Sequence, residues 1–148
     1  MNIFKSLINS VKTFATNTGT EKRRDRFTAK QIQLDDLAEE LNLLLEGKTD
    51  FNFIGITANE YDSLFFVRND QNFNIEFRAL KKIQLPYLQL LEDFASKNNI
   101  MFETEKLDRI PYLSLKTNTS ITETVDLAKL IQKEVFGNND NTIYKVIP

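Results

Sequence analysis

The residues Asn72-Phe73-Asn74-Ile75-Glu76-Phe77-Arg78 alternate strictly between apolar and polar. Successive side chains of a β-strand leave opposite faces, so this spacing predicts a strand with Phe73, Ile75 and Phe77 on a buried side and Asn74, Glu76 and Arg78 on a wet one. Ser63-Leu64-Phe65-Phe66-Val67 is a fuller apolar run, and Asn69-Asp70-Gln71 between the two is made of residues that bond their own backbone in turns. The pair predicts a hairpin. Phe51-Asn52-Phe53-Ile54-Gly55-Ile56 adds a run before it, joined through Asn59, Glu60 and Asp62. Phe51 to Phe77 therefore reads as three consecutive antiparallel strands, and the other apolar segments as elements laid against them.

Those other segments repeat with the helical period. Ile3, Phe4, Leu7, Ile8, Val11, Phe14 and Ala15 recur at steps of three and four, which predicts an amphipathic helix within residues 1–18. Residues 19–27 carry Glu21-Lys22-Arg23-Arg24-Asp25-Arg26 with no apolar partner and read as a linker. A second helix is expected from Ala29 to Glu46, capped by Thr28 and closed by Gly47, with Leu34, Leu37, Ala38, Leu41, Leu44 and Leu45 inward and Asp35, Asp36, Glu39 and Glu40 outward. Pro86 is well placed to open a third helix through Tyr87, Leu88, Leu90, Leu91, Phe94 and Ala95, ending at Asn98-Asn99. Ile100 to Phe102 then starts a short strand, Glu103 to Arg109 reads as a polar connection, and Tyr112 to Leu115 as a returning strand. A last helix is expected from about Ser120 to Phe136, stopped by Gly137, after which Ile143 to Pro148 either adds an edge strand or trails over the surface. The expected fold is an α+β domain over residues 28–148. Its antiparallel sheet has about five strands, in the order helix, three strands, helix, two strands, helix, with an extra N-terminal helix before it.

Composition narrows the chemistry. The 148 residues contain no cysteine and no histidine, which excludes disulfides, thiolate metal sites, cysteine nucleophiles and the usual general base of hydrolytic triads. Lys and Arg number 19 against 21 Asp and Glu, a net charge of −2, so nothing in the bulk charge calls for nucleic acid. No apolar run approaches the length of a membrane span, and a cytoplasmic location is expected. Asp70, Asn72 and Asn74 imitate the opening of a calcium loop, but Ile75 stands where glycine is needed and Lys81 where the bidentate acid belongs. Gly19, Gly47, Gly55 and Gly137 are too scattered to cradle a phosphate. No metal or cofactor is expected, and no residue stands out as catalytic.

The 12 phenylalanines are the most conspicuous feature. Most belong to the core, while Phe51, Phe53, Phe65, Phe66 and Phe102 are the candidates for a face covered by a partner. On the N-terminal helix, Phe4, Leu7, Ile8, Val11 and Phe14 form a stripe that packs either on its own domain or on another chain, which leaves a homodimer open.

The hairpin Leu64-Phe65-Phe66-Val67 to Phe73-Asn74-Ile75-Glu76-Phe77, the helix start Leu85-Pro86-Tyr87, Ile110-Pro111-Tyr112 before a strand and the helix end Glu134-Val135-Phe136-Gly137 resemble, in order and spacing, type III secretion chaperones. Related small bacterial families share the pattern, among them the sensory transduction regulator group. The resemblance implies a non-catalytic, often dimeric α+β domain that holds an extended segment of another polypeptide along its sheet and apolar grooves. The helix from Ile3 to Ala15 is not part of that pattern. A toxin-neutralising or regulatory binding protein is the alternative within the same class, and an enzyme built on carboxylates and lysine is the alternative outside it.

Overall fold

The computed structural model of the protein describes residues 30–148, and the predicted helix and linker of residues 1–27 lie outside them. Seven strands form one antiparallel sheet: β1 (Gln31–Ile32), β2 (Phe53–Thr57), β3 (Leu64–Asn69), β4 (Asn72–Arg78), β5 (Phe102–Leu107), β6 (Ile110–Thr119) and β7 (Tyr144–Ile147). Their spatial order is β1-β7-β2-β3-β4-β6-β5. Among the described residues three α-helices connect them: α1 (Leu37–Leu45), α2 (Leu85–Lys97) and α3 (Ile121–Glu134). The class is α+β as expected, but the sheet is wider than about five strands.

Both added strands come from the chain ends of the domain. Ile143–Pro148 forms neither an edge nor a surface tail: β7 lies inside the sheet, bonded to β2 on one side and to β1 on the other. Tyr144 and Val146 are buried there while Lys145 is exposed, the alternation of a strand with one covered face. Pairing with β7 also shortens the first described helix. Gln31 and Ile32 are extended opposite Lys145 and Tyr144, so the helical path begins only after Gln33, with a 3-10 turn at Leu34–Asp36 before α1. Within α1 the buried residues are Leu37, Glu40, Leu41 and Leu44: Glu40, expected on the wet side, lies three residues after Leu37 and four before Leu44, on the covered face. The end is as predicted. Gly47 takes a left-handed φ of 71°, and the Lys48 N–H reaches the Leu43 carbonyl.

The Glu103–Arg109 segment is also corrected. Glu103 to Leu107 continues β5, and only Asp108 and Arg109, both with positive φ, make the turn into β6. Polar side chains there reflect an exposed strand rather than a loop. Between β4 and β6 the register shifts: Phe73 opposes Thr119 and Ile75 opposes Leu115, so β6 bulges around Asn118, whose φ is 47°. The Asn74 side chain accepts the Asn118 N–H at 2.9 Å and so takes up a donor displaced from the ladder.

All three helices lie on one face. Leu37, Leu41 and Leu44 of α1, Leu91, Phe94 and Ala95 of α2, and Val125, Ala128 and Ile131 of α3 share a core with Ile54, Ile56, Leu64, Phe66, Phe73, Ile75, Phe77, Leu113 and Leu115. The opposite face carries Phe53, Gly55, Phe65, Glu76, Arg78, Tyr112 and Ser114, as the register requires. Gly55 is there for its lack of a side chain. A Cβ at that position would stand 2.7 Å from two ring carbons of Phe65, the residue directly opposite it. Gly55→Ala is therefore expected to cost about 1–3 kcal/mol in chemical denaturation, the usual price of overpacking. Gly55→Ala combined with Phe65→Leu should recover part of it. A Gly55→Ala loss below about 0.5 kcal/mol would show that the ring is free to move aside.

Candidate interaction surface

Strand β5 is the outer edge of the sheet. The Lys116 N–H donates to the Met101 carbonyl at 2.8 Å, which fixes which residues of the strand bond inward. In an antiparallel ladder, bonded and non-bonded pairs alternate. Counting from Met101, the amides and carbonyls of Glu103, Glu105 and Leu107 turn toward β6, and those of Phe102, Thr104 and Lys106 turn outward. Pro111 agrees with this phase: it faces Lys106 in a non-bonded pair, and its carbonyl accepts from Ala79 on the other side. Among the described residues no strand lies beyond β5.

Side chains along this edge divide by face. Phe102 opposes Leu115 and lies partly buried on the helix side, whereas Glu103 and Glu105 oppose Ser114 and Tyr112 on the other and are exposed. Glu103 approaches Lys116 at 3.8 Å, a loose surface pair, and Glu105 accepts a hydrogen bond from the Tyr112 hydroxyl.

Helix α2 packs over β6, beside that edge. It begins after a 3-10 turn at Lys82–Gln84, with Pro86 in its first turn. Leu91, Phe94 and Ala95 point into the core, and Tyr87 and Leu88 pack partly against it. The helix has more apolar residues than that stripe can hold. Of the seven large exposed hydrophobic residues among those described, five run from Leu80 to Met101: Leu80, Ile83 (57% exposed), Leu85, Leu90 (46%) and Met101 (78%). Sequence reasoning placed Leu90 along the helix with its apolar residues and Met101 at the start of a strand, and gave Leu80, Ile83 and Leu85 no surface role. The signal was available: Leu85 and Leu90 both fall outside the row 87, 88, 91, 94, 95 that a single helix face can bury.

The predicted partner-binding phenylalanines separate between the two faces. Phe66 is fully buried under the helices, and Phe102 is half-buried at the edge. Phe53 and Phe65, each 1% exposed, lie on the opposite face, with Phe51 stacked on Phe53 at 5.2 Å. The Arg78 guanidinium sits 4.5 Å from the Phe65 ring centre and 5.0 Å from that of Phe53, and pairs with Glu76 at 2.9 Å. This cation–π stack covers rings that no described helix touches. The stripe Phe4, Leu7, Ile8, Val11 and Phe14 lies outside the described residues.

One buried carboxylate invites a chemical reading. Asp62 is 0% exposed and is surrounded by neutral donors. Its Oδ1 accepts from the Ala58 and Asn59 amides, both at 2.9 Å, and from Thr57 Oγ1 at 3.2 Å; its Oδ2 accepts from Asn138 Nδ2 at 2.8 Å and Asn59 Nδ2 at 3.1 Å. Gln132 Nε2 donates to the Asp62 carbonyl at 3.0 Å, and Gln132 Oε1 accepts from Asn138 Nδ2 at 2.9 Å. Thr57, Ala58 and Asn59 close the β2–β3 loop on this carboxylate, while Asn138 and Gln132 tie it to the end of α3, which makes it a structural clasp. Of the imitation calcium loop, Asp70 stands in the β3–β4 turn with a φ of 58°, and Asn72 opens β4 opposite Asn69. Tyr144 Oη lies beside Asn138 and Thr142 without hydrogen-bond geometry to either.

No family model, curated protein or solved structure matches the chain. Among the described residues no helix is long and apolar enough to cross a membrane.

Asp62→Asn turns an amide donor toward other donors, and a loss of about 1–3 kcal/mol is expected in denaturant melts. A change within about 0.5 kcal/mol would show that the clasp is dispensable. Two tyrosines set an alkaline limit. The bond to Glu105, then burial, pushes Tyr112 up to about 12, and burial, then the Asp62 charge, pushes Tyr144 up to about 12. Unfolded tyrosine titrates near about 10, so the protonated form is favoured in the fold; the stability it brings is complete below about pH 10 and is lost as pH rises through about 12. Tyr144→Phe should flatten that decline. Because the hydroxyl has no partner, the same variant should be within about 0.5 kcal/mol of the parent at neutral pH.

Proposed function

We propose that this protein is a non-catalytic binding module that accepts an extended segment of another polypeptide along β5, beside the exposed apolar side chains of α2. The observation that carries this reading is the outward row of main-chain groups on β5, beyond which no described strand lies. Outward amides and carbonyls at Phe102, Thr104 and Lys106 offer main-chain bonds to an added strand. Met101, 78% exposed, stands just before β5, and α2, which packs on the neighbouring β6, keeps Leu85 and Leu90 exposed. This is also the kind of binding that the resemblance to secretion chaperones implies, and it uses no acid-base or nucleophilic group.

Thr104 provides a clean test. Its N–H faces outward, so Thr104→Pro deletes a donor offered to a partner and none used within the sheet. Peptides selected by display on the full-length protein should slow hydrogen exchange at the Phe102, Thr104 and Lys106 amides. Thr104→Pro should weaken them about tenfold while the midpoint of unfolding changes little. Protection appearing on β1 and β7 instead, or affinity untouched by the proline, would overturn the assignment.

A further inference from the structure

We propose that the segment added at β5 is basic at alternate positions, with Lys or Arg opposite Glu103 and opposite Glu105; this rests on the strand-addition reading above. Glu103 and Glu105 are exposed, share one face of the edge strand and are two residues apart. In an added strand of either direction, the residues facing them are also two apart and on that same face. Lys116 at 3.8 Å from Glu103 is too loosely placed to neutralise it, and Glu105 is held by a neutral hydroxyl. Two negative charges are thus presented in register with the outward main-chain groups of Phe102, Thr104 and Lys106.

The same geometry argues against a second copy of this strand as the occupant. Two β5 strands related by a twofold axis must run antiparallel with the axis normal to the sheet, and that operation keeps each residue on its own face. Centred on Thr104, the register sets Glu103 against Glu105 of the copy twice. Centred on Glu103 or on Glu105, it sets that carboxylate against itself. Like charges directly opposed oppose pairing, so in these three central registers the side chains disfavour self-addition, while an oppositely charged strand is accepted in the same place.

The test uses the full chain and three fluorescent peptides of one length, with alternating Val and Lys, Val and Ser, or Val and Glu, titrated by anisotropy at low and at physiological salt. The Val-Lys peptide should bind roughly two- to thirtyfold more tightly than the Val-Ser peptide, the range expected for two cross-strand ion pairs, and the preference should shrink with salt. Glu103→Lys with Glu105→Lys should reverse the order, so that the Val-Glu peptide binds best. Both substitutions are at exposed positions, and an unchanged unfolding midpoint checks that the fold survives. Equal binding of the Val-Lys and Val-Ser peptides, lost in Thr104→Pro, would sink the charge preference and leave strand addition standing. Binding of all three peptides that ignores Thr104→Pro, or no binding by any peptide including those selected by display, would sink strand addition itself.

Discussion

The register of β3 between β2 and β4 is the constraint on which the rest depends. A strand has a period of two, so Phe65 and Phe66, adjacent in the chain, must enter different environments. Phe66 opposes Ile54 and Ile75 and joins the core beneath the helices, while Phe65 opposes Gly55 and Glu76 and packs on the other face under Arg78. A slip of one residue would exchange them. It would also carry Leu64 out of the helix-covered core to the far face. The core face of β3 therefore specifies one register.

From that register the fold extends outward to two unlike edges. On one side β7 returns to fill the space between β2 and β1, and among the described residues the sheet ends in a strand of two residues, too short to template another chain. On the other side β6 is ten residues long and β5 six, and among the described residues the sheet ends in an outward row of main-chain groups lined by carboxylates. A long edge is a hazard unless something discourages promiscuous pairing, and Glu103, Glu105 and Lys106 serve that end. The same charges set the terms for a partner. The polar density of the molecule lies elsewhere, at the Asp62 clasp, where it holds the β2–β3 loop to the end of α3.

Much of the central architecture was legible in the chain. The alternation from Phe73 to Phe77, the Asp70 turn, Pro86 in the first turn of α2, Ser120 as the cap of α3 and the left-handed Gly47 all act through neighbours in sequence, so local patterns report them. Errors arose where a distant segment decided. Gln31 and Ile32 are extended because β7 pairs with them, and nothing nearby announces this. Glu40 is buried because the face of α1 turned to the core is the one shared by Leu37, Leu41 and Leu44, which the packing of the helix decides. Glu103 to Leu107 looked like a connection because an exposed edge strand has no covered face to impose alternation. The surplus leucines of α2 could have been noticed by counting, but which of them stay exposed depends on what α2 packs against.

By itself, the sequence determined the period of each segment, the turn residues that punctuate it, and the absence of cysteine and histidine chemistry, because these follow from side-chain identity and spacing over a few residues. Only the tertiary structure decided that the C-terminal segment belongs inside the sheet, that Phe65 and Phe66 face opposite ways into different packing, and that β5 is left as the long open edge. Strand order is set by pairing between segments far apart in the chain, and that pairing follows from the closing of the whole core rather than from any local preference.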